Sequence, residues 1–196
     1  MTKRIACIGD SITWGFFIAG RDTNSYPAVL GRLLGEGYEV RNFGYNDASV
    51  QRHADTPYWT KSVYKDSLEW RADIVIIMLG TNDTKRRNWI SAKFREDYLA
   101  FVQTYLSLPS PPKVFLCTPP RMFRMMGFEM WGLHMDTLEN EVIPIIKDIA
   151  SSMGLPLIDT FRSISEAKVM VDGVHPGRKG AETLASFVYE RLLEQL

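Results

Sequence analysis

The sequence is poor in metal ligands and in crosslinks. Two cysteines and three histidines are spread over 196 residues, and their scatter gives no zinc-type spacing. Cys7 and Cys117 both fall in apolar runs that read as buried strands. They count as small core residues, not as a disulfide or a metal pair. No metal and no cofactor is expected. Charge of one sign is lacking too: Lys plus Arg and Asp plus Glu are 23 each, a formal net charge of zero. That argues against a nucleic-acid groove or an anionic membrane surface as partner. No apolar run is long enough to span a bilayer. No signal-peptide pattern precedes the first strand, which predicts a cytoplasmic protein. A Gly-x-Gly-x-x-Gly after a strand and a phosphate loop ending in Gly-Lys-Ser are both missing, which speaks against a nucleotide ligand.

What the chain has is apolar residues, 45% of the total, enough for one domain over residues 1–196 with a full core. Arg4 to Ile8 reads as a buried strand. A helix is expected over Tyr26 to Leu34, with Pro27 near its start and Gly35 and Gly37 at its end. Tyr38 to Phe43 alternates polar and apolar, as an edge strand does. A helix of weak periodicity follows over Thr60 to Trp70. Asp73 to Leu79 is apolar on both faces and reads as a central parallel strand. Phe94, Tyr98, Phe101, Val102 and Tyr105 share a helical face. Val114 to Cys117 and Leu155 to Ile158 are the remaining strands. Between them, Leu138, Val142, Ile145 and Ile149 mark a helix that Pro144 should kink or restart. The last helix is expected from Pro176, with Ala181, Leu184, Ala185, Val188, Tyr189 and Leu192 buried. Strand and helix alternate throughout, which predicts a three-layer α/β domain of parallel strands.

The first strand breaks at Gly9-Asp10-Ser11, so Ser11 lies at a carboxyl strand end, where open α/β sheets place ligands. These residues also suit an ordinary turn or a helix N-cap. Two more strand ends carry polar, glycine-containing loops: Gly44-Tyr45-Asn46 and Gly80-Thr81-Asn82-Asp83. In a parallel sheet all three open on one side. Near the end comes Asp172-Gly173-Val174-His175-Pro176. The proline keeps His175 out of the helix that follows. Asp172, across a flexible glycine, can accept from His175 Nδ1–H and leave Nε2 free as a base. A turn cap and a helix cap would use the same two residues. A serine that attacks a carbonyl needs an adjacent base, and the base an orienting group. Ser11, His175 and Asp172 can fill these roles. The N–H of Ser11, the N–H of Gly44 and the side-chain amide of Asn82 could stabilise the oxyanion.

With these residues in view, the chain resembles the SGNH/GDSL hydrolases, whose four letters fall on Ser11, Gly44, Asn82 and His175. Its first block reads Gly-Asp-Ser-Ile-Thr, its third Gly-Thr-Asn-Asp and its last Asp-x-x-His. The second block, Gly44-Tyr45-Asn46-Asp47, lacks the small-residue run that often follows the glycine. The resemblance implies a flavodoxin-like sheet of five parallel strands in order 2-1-3-4-5. More narrowly, Ile76 to Asp83 with Asn88-Trp89, and Pro57-Tyr58-Trp59, are similar to sialate O-acetylesterase-like and acetyl-xylan-esterase-like bacterial members. There is no Gly-x-Ser-x-Gly elbow of the common α/β-hydrolase fold.

The expected function is a serine esterase acting through a Ser-His-Asp triad and an acyl-enzyme. Its substrate is a small acetyl or short acyl ester, with a carbohydrate as the favoured alcohol. Trp14, Trp59, Trp89 and Trp131 lie in loops or at element ends and offer faces for a sugar ring, or else pack the core. Met122, Met125, Met126 and Met130 would suit a longer acyl chain. That gives the alternative of a lysophospholipase or thioesterase. Lys85-Arg86-Arg87 would suit an acidic substrate or be a solvated basic loop. A third reading, of another class, is a non-catalytic flavodoxin-like binding module. Oligomeric state leaves no mark on the sequence.

Overall fold

A computed structural model describes residues 2–195, so the first and last residues of the domain expected over 1–196 lie outside the described residues. Five parallel strands form one sheet in the order β2-β1-β3-β4-β5, as the resemblance implies. They are β1 Lys3–Gly9, β2 Tyr38–Gly44, β3 Ile74–Met78, β4 Lys113–Cys117 and β5 Leu157–Ile158. The principal helices are α1 Ser11–Trp14, α2 Arg21–Asn24, α3 Tyr26–Leu34, α4 Ser62–Glu69, α5 Ser91–Leu106, α6 Ile143–Ser152 and α7 Arg178–Leu193.

Residue parity along the strands divides the core in two. Ala6 and Ile8 of β1, Val75 and Ile77 of β3 and Val114 and Leu116 of β4 point to one face. There α5 and α6 cover them with Phe94, Tyr98, Phe101, Tyr105, Ile146 and Ile149. Ile5, Cys7, Ile74, Ile76, Phe115 and Cys117 point to the other, under Val29 and Leu30 of α3 and Leu184, Ala185 and Val188 of α7. Both cysteines are therefore free thiols in the sheet interior. Burial pushes the Cys7 thiol up to about 12.

One boundary differs from expectation. The last helix begins at Arg178, not Pro176. Met170 and Pro176 pair as an antiparallel bridge, and Val171 N–H donates to the His175 carbonyl at 2.8 Å. This small loop keeps Pro176 out of the helix, which Gly177 caps. Pro144 does restart its helix, through a π turn over Leu138–Val142. The proline lacks an N–H, and the wider turn absorbs the missing bond. Along this helix Ile146, not Ile145, enters the core.

The register fixes where the loops emerge. Gly9 lies level with Gly44 on one side and Met78 on the other. From β1 the chain moves outward in one direction to β2 and in the other to β3, so the topological switch point lies at the end of β1.

Candidate active site

Ser11 is the first residue of the short helix α1. Asp10 caps this helix, its Oδ1 accepting from Ile12 N–H at 2.9 Å. Turn-cap and ligand-site readings of Gly9-Asp10-Ser11 are thus compatible: aspartate caps the turn and the serine points away from it. Ser11 Oγ is 2.8 Å from His175 Nε2. His175 Nδ1 is 2.8 Å from Asp172 Oδ2. The other oxygen of Asp172 accepts from the N–H groups of Val174, at 3.0 Å, and His175, at 2.8 Å. Burial pushes the Asp172 carboxyl up, but the backbone and ring N–H donors of His175, with Val174 and Trp131, outweigh it and hold the group below the ordinary carboxylate range. The imidazole is boxed by aromatic rings, with centroids at 5.0 Å for Phe16, 5.7 Å for Phe17 and 6.0 Å for Trp131.

Asn82 opens a one-turn 3-10 helix beyond β3. Its amide donates to the Ala48 carbonyl at 3.1 Å. Next to it, buried Asp83 accepts from Val50 N–H at 3.0 Å and Gln51 N–H at 2.9 Å. That carboxylate stitches the loop after β2 to the loop after β3. Burial pushes Asp83 up to about 6, its backbone donors pulling the other way.

A cavity of about 350 Å3 opens onto Ser11, Asn82 and His175. Phe16, Trp131 and Leu133 give it apolar walls, and Asn46, Asp47, Lys85 and Arg87 a polar end. Lys85 is almost buried and paired with Asp47; Arg87 pairs with Asp55 at the surface. A second cavity shares Lys85, Arg87 and Trp131 with the first and adds Arg86 and His134.

The structure links Ser11, His175 and Asp172 by hydrogen bonds and places Asn82 on the cavity that Ser11 and His175 line. Gly44 is the correction. Its N–H donates to Asn42 Oδ1 at 2.8 Å, and it does not line the cavity. Its role is close packing: a Cβ there would collide with the Trp14 backbone N, so the glycine lets α1 lie against β2. Of the four tryptophans offered as sugar platforms, Trp131 lines the cavity beside Ser11. Trp59 is packed on Tyr64 and Phe101, and Trp89 on Phe94. None of the methionines lines the cavity; Met122 is in the core, and Met126 is 95% exposed. Asn46, Asp47, Phe16 and Leu133 were not singled out as site residues from the sequence. Asp47 has a left-handed φ of +65°, which asparagine and aspartate tolerate better than most residues. Among the described residues no group of three or more His, Cys, Asp or Glu side chains is placed to hold a metal, and no helix is long and apolar enough to cross a membrane.

Known proteins share this fold. Residues 7–183 match the GDSL-like Lipase/Acylhydrolase family. An acetylxylan esterase of Xylanibacter ruminicola is 35% identical over 205 residues, which take in 94% of this chain and 42% of the relative. The chain thus spans less than half the length of that curated relative. Two solved structures superpose over the whole of both chains. One is an aryl esterase of M. smegmatis, with a TM-score of 0.81 at 24% identity. The other is a carbohydrate acetylesterase of Sinorhizobium meliloti, with a TM-score of 0.83 at 21% identity. At these identities the solved structures speak for the fold. The family match covers most of the sequence and includes both the Ser11 turn and the Asp172–His175 pair, and the chain belongs to the GDSL-like lipase/acylhydrolase family of ester hydrolases.

Proposed function

We propose that the chain hydrolyses acetyl and other short acyl esters, with a carbohydrate as the alcohol. The observation that carries this is the relay from Ser11 Oγ to His175 Nε2 and from His175 Nδ1 to Asp172, 2.8 Å at each link, opening into a cavity. Ser11 Oγ attacks the acyl carbon while Nε2 takes its proton. The C=O electron pair moves to oxygen as a tetrahedral intermediate forms. Two donors can serve that oxygen: the N–H of Ser11, which at the first position of α1 has no intrahelical acceptor, and the second N–H of the Asn82 side-chain amide, whose first is held by the Ala48 carbonyl. Collapse of the intermediate breaks the ester C–O bond, and the imidazolium gives its proton to the leaving alcohol. Water then attacks the acyl-enzyme, with His175 again taking and returning the proton. The products are the carboxylic acid, the alcohol and the free serine.

A short acyl group suits the small cavity and the absence of methionine from its walls. A sugar alcohol is supported by the acetylxylan-esterase relative and by Trp131 between the two cavities. The test is hydrolysis of p-nitrophenyl esters graded from acetate to laurate, followed by acetylated xylo-oligosaccharides, with Ser11→Ala alongside. Turnover of acetate that collapses by hexanoate, and an inactive Ser11→Ala that melts like wild type, is the expected result. Activity that holds or rises toward laurate would overturn the short-acyl assignment in favour of a lipid or thioester substrate. Retained activity in Ser11→Ala would remove the serine from the mechanism.

A further inference from the structure

Trp131 reaches the Asp172 carboxylate from a distant part of the chain. Its indole Nε1–H donates to Asp172 Oδ2 at 2.6 Å, across 41 residues. The same oxygen accepts from His175 Nδ1. Three of the carboxylate's four donors come from the Asp172 turn itself: Val174 N–H, His175 N–H and the His175 ring. The indole supplies the fourth and covers the carboxylate from outside. The Asp172 side chain is 11% exposed beneath a Trp131 that is 53% exposed.

The loop that carries the indole is tied to the site at both ends. On one side Phe123 N–H donates to the Gly173 carbonyl at 2.8 Å. Gly173 has a φ of +84°, and a Cβ there would collide with the Phe123 carbonyl. On the other side Leu133 is buried, and His134 N–H donates to Thr84 Oγ1 at 3.1 Å in the turn that Asn82 opens. Between these anchors Trp131 and Gly132 take left-handed φ values of +63° and +68°. An L-residue holds that conformation when its surroundings impose it. The reversal returns the ring over Asp172 and His175.

We propose that Trp131 is a positioning residue for the triad: its indole N–H holds the Asp172 carboxylate against His175, so that the 119–134 loop governs the base. This rests on the triad reading above. Without the N–H, Oδ2 keeps more negative charge facing the imidazole and favours imidazolium. Base catalysis then fails at a higher pH than in wild type. The charged groups lining the same cavity are Asp47, Lys85 and Arg87, with Asp10 beside Ser11. Substitution at 131 leaves all of them in place.

Trp131→Phe keeps an apolar ring and removes the donor. The first readout is an NMR titration of the His175 ring in wild type and variant, which needs no turnover. The second is the pH profile of kcat/KM on p-nitrophenyl acetate, with kcat and KM resolved. The expected result is an acid limb of kcat/KM displaced to higher pH in the variant, with the ring signal of His175 moving the same way. At neutral pH kcat should fall about tenfold, with KM for this small ester little changed. Should Trp131→Phe fold poorly, a tryptophan analogue with sulfur in place of the ring N–H carries the same test. Superposed titrations overturn the proposal, and a rise in KM alone would reduce Trp131 to a cavity wall. A wild-type protein without esterase activity would sink the proposed function, while the NMR titration would still decide this inference.

Discussion

Replacing Asp10 by Asn should flatten the dependence of stability on pH. Asp10 is 1% exposed; its Oδ1 accepts from Ile12 N–H, and its Oδ2 has no partner. Burial pushes its carboxyl from 3.8 up to about 7. Between those values the folded protein holds a proton that the unfolded chain has released. Stability therefore falls as pH rises through this window, by about 1.4 kcal/mol per unit, and levels off above the folded-state value. From pH 5 to 8 the loss attributable to Asp10 comes to about 2–3 kcal/mol. Asparagine keeps the oxygen that accepts from Ile12 N–H and has no charge to bury. Asp83, pushed up to about 6, slopes the same way in both proteins and largely cancels in their difference. Urea unfolding followed by tryptophan fluorescence at pH 5, 6, 7 and 8 reads that difference. Relative to wild type, the variant should gain about 2–3 kcal/mol between pH 5 and pH 8. Parallel curves across that range would refute the claim that Asp10 is neutral in the fold at acid pH.

Three further outcomes are expected. Asn82→Ala should lower kcat on p-nitrophenyl acetate by about 10²–10³ with little change in KM; a loss below about threefold would remove its amide from the oxyanion site. Gly44→Ala should cost about 1–3 kcal/mol, because the new Cβ meets the Trp14 backbone. An unaltered melting temperature would show that α1 does not need this approach. Gly173→Ala should unseat Phe123 from the Asp172 turn and cut turnover with little loss of secondary structure by circular dichroism. Full activity would mean that the loop can detach without disturbing the triad.

The parts of the site legible in the sequence are those set by short-range geometry. His175 and Asp172 are three residues apart across a glycine, so their pairing needs little beyond the local chain. Ser11 and Asn82 follow strands whose apolar runs place them unambiguously, and parallel pairing brings those ends to one edge. The fold was legible for the same reason: β3 is buried on both faces and lies at the centre, while β2 alternates and lies at the edge. Gly44 was legible as a glycine with a purpose, but not as which purpose. Whether its N–H faced a substrate or a side chain depended on Asn42, two residues back, turning its Oδ1 inward. The same asparagine donates from Nδ2 to the Thr13 carbonyl at 2.7 Å. It therefore fastens β2 to α1, and that helix contact is what excludes a Cβ at Gly44.

Trp131 shows where a sequence runs out. Trp14, Trp59, Trp89 and Trp131 are equivalent as composition, each an aromatic ring near an element end. What separates Trp131 is a backbone reversal at 131–132 and anchors at Phe123 and Leu133, none of which has a periodic signature. The one local sign is Gly132 directly after the tryptophan, since glycine tolerates the left-handed region that the reversal uses. An irregular loop could be dismissed as a cover over the sheet edge. Yet its ends rest on the Asp172 turn and on the turn opened by Asn82, the two halves of the site that strand pairing alone does not join. The loop closes that gap with hydrogen bonds donated by its own N–H groups, to the Gly173 carbonyl and the Thr84 hydroxyl, and Trp131 is its point of contact with the chemistry.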